Sequence, residues 1–241
     1  MIEHRVKTGW PASVLVTGGA GFIGCNVVRR LAALGVSVTV LDNFSRANSN
    51  WNADQLRRDL GGDIRLLTGD IRDASAVNFA ATGADAIVHL AGQTAVTRSI
   101  RDPRGDFLDN CIGTFNVLEA ARTSARDPIV IFASTNKVYG ALDDLAIIEE
   151  VDHYRLADLP NGVDESHRID PTSPYACSKS AAENYVLDYA RTYGVRTVAF
   201  RQSCIYGEHQ WGVEDQGWLA WFLIAAKAGR GREPAIRLAG L

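Results

Sequence analysis

The chain has 241 residues, 46% of them hydrophobic and 22% charged, which is long enough to bury one large core. Its net charge of -3, with Lys and Arg scattered and not gathered into runs, gives no electrostatic footprint for nucleic acid or an anionic membrane. No segment approaches membrane-spanning length, and Met1–Pro11 carries His4, Arg5 and Lys7 but no apolar signal-peptide core, so a cytoplasmic protein is expected.

The first apolar run, Val14 to Thr17, leads into Gly18, Gly21 and Gly24, spaced three apart, and then into an apolar-periodic helix from Phe22 to Leu34. This pattern reads as a cradle for a dinucleotide pyrophosphate. Gly18 permits a sharp turn, Gly21 permits close approach of the backbone to the phosphates, and Gly24 permits the helix to pack on its strand. Phe22 and Ile23 open the helix, whose free amides and positive dipole end face the anion. A second strand, Val36–Leu41, ends in Asp42, about 20 residues beyond the glycines, where a carboxylate can accept both ribose hydroxyls of an adenosine. Asn43, Ser45 and Arg46 continue that edge and are assigned to the cofactor pocket. Asp42 repels a 2′-phosphate while Arg46 attracts one, so the acid favours NAD and the arginine leaves NADP open.

A polar stretch to Asp59 is expected to form a short helix, and Ile64–Leu67 a third strand. Asp70 and Ile71 after it are assigned to an adenine pocket, and Asp73 to the N-cap of a helix through Ala81. Ala86–Leu90 reads as a fourth, fully buried strand. It ends in Leu90, Ala91, Gly92 and Gln93, small enough for a cofactor backbone to pass. A helix from Asp106 to Ser124 and a fifth strand, Ile129–Ala133, follow. Residues 140–172 form a long irregular segment of the kind that usually carries function. A helix from Ser173 to Tyr193 has Pro174 in its first turn and Tyr185, Leu187 and Tyr189 partly in register with a buried face. Val195–Phe200 is the expected sixth strand, and a further helix runs from Gln216 to Ala228. Alternating strands and helices predict an α/β fold, a doubly wound parallel sheet of Rossmann type, with ligands at the carboxyl ends of the strands. The four cysteines, Cys25, Cys111, Cys177 and Cys204, and the five histidines are dispersed, which predicts reduced, mostly buried thiols and no metal site.

The fifth strand runs into Ser134, Thr135, Asn136, Lys137 and Tyr139, and the helix after the long loop begins with Tyr175 and Lys179. Four residues apart, Tyr175 and Lys179 share a helix face. Moving a tyrosine from its usual pKa near 10 to about 7 takes roughly 4 kcal/mol of differential stabilisation, which an ammonium and a positive nicotinamide can supply. With a hydroxyl from Thr135 on the substrate oxygen, the three side chains could abstract a proton from an alcohol while hydride leaves to a nicotinamide.

These segments in this order resemble the extended short-chain dehydrogenase/reductase family, the NAD-dependent nucleotide-sugar epimerases and dehydratases. The segments Ser134–Gly140, Pro160–Ser166, Ser173–Lys179 and Asp215–Trp218 are most similar to its CDP-deoxysugar 2-epimerases. The resemblance implies Thr135, Tyr175 and Lys179 as catalytic residues, with Lys179 also on the nicotinamide ribose. It places Asn110 and Arg201 near the cofactor, and Gln93, Asn136, Lys137 and Arg201 with Thr135 and Tyr175 near the sugar. Dehydratases of the family carry an acidic pair where Asn136 and Lys137 stand, so elimination of water is demoted. The implied reaction oxidises a sugar hydroxyl, turns the keto sugar over and reduces it on the other face, with a 4-epimerase, a reductase or a catalytically inert NAD-binding protein as alternatives. The resemblance also implies a homodimer. One NAD-binding domain over residues 1–241 is expected, with a substrate-binding region that begins near residue 205 and is expected to be cut short at Ile236–Leu241.

Overall fold

Val14 and Val16 point to one side of the central strand and Leu15 to the other, and all three are buried, as a parallel strand covered on both faces requires. That strand is β1 (Ser13–Thr17) in a computed structural model that describes residues 9–213 and 216–229. Beside it lie β2 (Ser37–Asp42), β3 (Ile64–Thr68), β4 (Ala86–His89), β5 (Ile129–Thr135) and, after a hairpin of β6 (Ile147–Glu149) and β7 (Tyr154–Leu156), β8 (Thr197–Gln202). The six-stranded sheet has the order β3-β2-β1-β4-β5-β8, parallel throughout. This is the expected doubly wound architecture, with its switch point between β1 and β4.

One face of the sheet is covered by α1 (Phe22–Ala33) and α2 (Ser49–Leu60), which bury Cys25, Val28 and Leu56 against Val14, Val16, Val38 and Val40. The other is covered by α3 (Ala74–Ala81), α6 (Gly113–Arg122) and α7 (Pro174–Tyr193), around Leu15, Ile87, Val117, Phe132 and Val186. Asp73 caps α3 as expected, accepting from the amides of Ser75 and Ala76. Ser173 caps α7 by accepting from Ala176 N, with Pro174 in the first turn.

Several expectations change. The helix expected over 106–124 is a longer succession of α4 (Val96–Arg101), α5 (Pro103–Phe107), a π-helical turn over Leu108–Ile112, and α6. Pro103 starts α5, and the Asp102 side chain accepts from Gly105 N where α4 has ended. Residues 140–172 are not wholly irregular, since β6 and β7 pair there. The sixth strand of the sheet begins at Thr197, two residues later than expected, because Val195 N closes the end of α7 on Tyr189 O. Tyr185 is 51% exposed, whereas Tyr189 is buried. Cys25 and Cys111 are buried and held protonated by burial, each pushed up to about 11, but Cys177 and Cys204 are exposed. The last helix, α8 (Trp218–Lys227), has no buried residue. Met1–Thr8, Asp215 and Ile236–Leu241 lie outside the described residues.

Candidate active site

The glycine turn after β1 is shaped by close approach. Gly18 has φ of +68°, and a Cβ there would lie 2.7 Å from Ala91 N. At Gly24 a Cβ would lie 2.1 Å from Gly18 O, so α1 starts as near its strand as backbone allows. Gly21 N donates to Gly18 O at 3.0 Å, and Gly21 is the N-cap of α1. It brings no side-chain cap, and the first turn, with Phe22 and Ile23, holds no acid. Free amides at a helix N-terminus beside a glycine-rich turn fit the pyrophosphate of a dinucleotide. Asp42 ends β2 beside them, its Oδ2 accepting from Ala20 N at 3.0 Å and its Oδ1 from Phe44 N at 2.8 Å. Burial pushes its carboxyl up, opposed by those amides and by Arg46. With acceptor capacity left on both oxygens, the carboxylate fits ribose hydroxyls.

The other residues of this edge are already engaged. Asn43 accepts from Ser45 N and donates to Asp70 Oδ2, each at 3.0 Å. The Arg72 guanidinium holds Asp70 at 2.7 and 2.9 Å and pulls its carboxyl down to about 2. Ile71 packs its side chain into the core on Gly113, leaving only its backbone for an adenine. Arg46 donates to Thr94 Oγ1 and to Gln216 Oε1.

Leu90 is partly buried in the core, and Ala91 N donates to Thr17 Oγ1 at 3.2 Å. Gln93 and Asn110 turn inward to a shared carboxylate, Asp106, at 2.8 and 3.1 Å. Asn110 Oδ1 is buried without a hydrogen-bond partner, 2.6 Å from where a Gly92 Cβ would stand. Arg201 likewise points into the fold. Its Nε and Nη2 reach Glu183 Oε1 at 2.9 and 2.7 Å, and its Nη1 reaches Tyr139 Oη at 2.8 Å. Glu183 also accepts from Ser134 Oγ.

Thr135, Tyr175 and Lys179 are all buried, at the carboxyl end of β5 and the start of α7. Burial raises the Tyr175 phenol, and hydrogen bonding to Thr135 is the one opposing influence. The protein by itself therefore leaves this phenol protonated. Lys179 Nζ lies 4.1 Å from the Phe132 ring centroid, and burial lowers the ammonium to about 8. Thr135 Oγ1 accepts from Lys137 N at 3.2 Å and meets Asn136 Oδ1 at 3.5 Å, which keeps both residues at the strand end.

A model of the NAD dependent epimerase/dehydratase family matches residues 14–240. The chain belongs to this family. It is 44% identical over 211 residues to the CDP-paratose 2-epimerase of Salmonella typhi, spanning 87% of this chain and 62% of that protein. A dTDP-glucose 4,6-dehydratase of Mycolicibacterium smegmatis is 36% identical over 199 residues, spanning 82% and 54%. The UDP-glucose 4-epimerase of Thermus thermophilus, solved in complex with NAD, superposes with a TM-score of 0.72 at 32% identity, covering 90% of this chain and 63% of that one. The chain thus spans between about half and two thirds of the length of these relatives.

The inward polar groups were the residues that sequence reasoning missed. Glu183 falls four residues after Lys179 and Asp106 four before Asn110, spacings that share a helix face and were legible as signals. His89 at the end of β4, bonded to Thr17 and Thr114, carried no such signal.

Proposed function

We propose that the chain carries the catalytic half of an NAD-dependent nucleotide-sugar epimerase acting at C2 of a CDP-deoxysugar. The observation that carries the reading is the buried pairing of Tyr175 with Thr135 at the end of β5, with Lys179 one turn further along α7 over the Phe132 ring of the same strand, on a sheet whose glycine turn and Asp42 fit a dinucleotide. The 44% identity with the Salmonella typhi enzyme supports the 2-epimerase and CDP assignments. Asn136 and Lys137, an amide and an ammonium, support epimerisation over dehydration because neither supplies a carboxylic acid.

Gly18, Gly21, Phe22, Ile23 and Gly24 would hold the pyrophosphate, Asp42 the adenosine ribose, and Lys179 the nicotinamide ribose. When bound, NAD supplies a reversible hydride acceptor and a positive ring. As the phenolate, formed once added positive charge has released its own proton to solvent, Tyr175 would take the proton from the sugar hydroxyl and return it after the sugar has turned. Thr135 holds the reacting oxygen by its hydroxyl and lowers the phenol. Lys179, one turn further along the same helix face, would bring its ammonium to bear on Tyr175 once the cofactor is in place. Burial of Thr135 and Tyr175 keeps bulk water from the proton in transfer. Exposed Phe107, Phe115 and Tyr185 on one side of α5–α7 support pairing with a second copy.

The test incubates the purified chain, with NAD, with CDP-sugars and follows the configuration at C2 together with exchange of the C2 hydrogen. Epimerisation lost by at least about a thousandfold in Tyr175→Phe agrees with the reading. Epimerisation at an unchanged rate in that variant removes Tyr175 from it. Exchange at C4 in place of C2 replaces the 2-epimerase with a 4-epimerase.

A further inference from the structure

Asp106 is 1% exposed, yet no step so far uses it. Its Oδ1 accepts from Gln93 Nε2 at 2.8 Å and from Asn110 Nδ2 at 3.1 Å, and its Oδ2 from Ser178 Oγ at 2.6 Å. The donors come from three elements: the loop after β4, the π-helical turn, and α7 between Tyr175 and Lys179. All three donors are neutral, and a buried carboxylate held by neutral donors gains further from a cation nearby.

The ammonium placed to serve it is Lys179, which directly follows Ser178 on the same turn of α7. Among the groups that favour its ammonium against burial, Asp106 on α5 comes first, then Cys111 in the π-helical turn and Glu183 on α7. Glu183 is already satisfied by Arg201 and Ser134, and burial keeps the Cys111 thiol protonated. On the sheet side, His89 of β4 is kept neutral by burial and by Lys179 itself. Tyr175, one turn before Lys179, is protonated. Asp106 is therefore the one carboxylate around Lys179 without another cation to serve.

We propose that Asp106 is a positioning residue of the candidate site, fixing the Tyr175–Lys179 turn of α7 through Ser178 and supplying the countercharge that keeps the buried Lys179 ammonium protonated. This rests on the reading of Tyr175 and Lys179 as the proton-handling pair. The same negative charge disfavours the Tyr175 phenolate, so the phenol keeps its proton until positive charge is added.

The decisive measurement needs neither cofactor nor substrate. Nuclear magnetic resonance titration of the lysine side-chain 13Cε in the ligand-free chain follows Lys179 directly, with Lys179→Arg used for assignment. The wild type is expected to titrate at about 8, and Asp106→Asn, which keeps the side chain's size, at roughly one pH unit lower. A purely structural role predicts lower thermal stability with an unmoved Lys179 midpoint, and that result overturns the proposal. If Asp106→Asn does not fold, the wild type still decides. The Asp106 carboxyl 13C signal should move as Lys179 loses its proton, and a flat signal through that midpoint overturns the proposal. Absence of NAD binding or of epimerisation would refute the proposed function, while the role of Asp106 would still be decided separately by the Lys179 midpoint.

Discussion

His89 is a titratable side chain whose surroundings have removed its charge. Ala91 N donates to Thr17 Oγ1, so the Thr17 hydroxyl proton is free for His89 Nδ1 at 2.7 Å. His89 Nε2 then carries the ring proton toward Thr114 Oγ1 at 3.0 Å, and Thr114 donates in turn to Asn110 O at 2.6 Å. A chain with one proton per link admits the neutral imidazole, and a second ring proton would turn the Thr17 hydroxyl proton away from its acceptor. Burial lowers its pKa to about 3, and the unfolded chain takes up the proton near 6.5, so stability is full above 6.5 and declines as pH falls toward 3. Between pH 6.5 and 4.5 this single group should cost about 2 to 3 kcal/mol, read as a falling urea midpoint. Asp70 and Glu119, both held down to about 2, lose their contributions only at lower pH. Asp42 and Asp109 are pushed up by burial and act with opposite sign, so the comparison with His89→Gln isolates the imidazole. That variant should start less stable and lose this slope; an equal slope in both proteins would show that His89 is not its source. Gly24 makes the steric counterpart, because a Cβ there would meet Gly18 O at 2.1 Å. Gly24→Ala should cost about 2 kcal/mol or more of stability and weaken NAD binding, measured by thermal melting and calorimetry. Gly24 was legible in the sequence since only backbone spacing is at stake; His89 was not, because its role depends on partners 72 and 25 residues away.

At the scale of elements, α7 is the most legible piece of the molecule and the segment before it the least. Ser173 and Pro174 mark the start of α7, and Tyr175, Lys179 and Glu183 repeat at one-turn intervals along its buried side. From Val96 to Arg122, a helical pattern with one extra residue in a turn looks continuous to any periodicity argument. The π-helical turn over Leu108–Ile112 sets the aim of its neighbours: Asn110 at Asp106 and Ser178, and Gly113 onto Ile71. The β6–β7 hairpin escaped the sequence because its apolar residues, Ile147 and Tyr154, face solvent and leave no buried alternation. Glu183 and Arg201 join α7 to β8 as an ion pair with side-chain exposures of only 4% and 12%. Removing one partner strands the other, so Arg201→Met should destabilise the fold by about 3 kcal/mol. The double variant Glu183→Leu with Arg201→Met should recover most of that loss in chemical denaturation. A double variant as unstable as the sum of the singles would show that the pair is not coupled.

Over the whole molecule, the sheet order places the ends of β2 and β4 on either side of β1, and the crevice over the glycine turn lies between them. Alternating apolar runs indicated a parallel sheet, but not that the chain after β8 would come back to this crevice. It does so along α1 and α2: Asn26 donates to Glu208 O at 2.9 Å, Trp211 Nε1 donates to Asn52 Oδ1 at 3.2 Å, and Gln216 Nε2 donates to Thr94 Oγ1 at 2.6 Å. Arg46, at the β2 side, closes the bridge by donating to both Thr94 and Gln216. This bears in physical terms on a question the sequence left open, since a guanidinium committed to two neutral acceptors is poorly placed to receive a 2′-phosphate. The Asp42 carboxylate beside it then dominates, and NAD should bind roughly tenfold or more tightly than NADP, a difference of about 1.4 kcal/mol. Gln216→Ala removes one of the two acceptors without touching Asp42 or the glycine turn. The freed guanidinium should raise NADP affinity several-fold while NAD affinity stays near its original value, narrowing the ratio measured by calorimetry at low salt. An unchanged ratio would mean that Arg46 is held by Thr94 alone or does not reach the ribose edge. Tighter binding of NADP by the unmodified chain would overturn the preference itself.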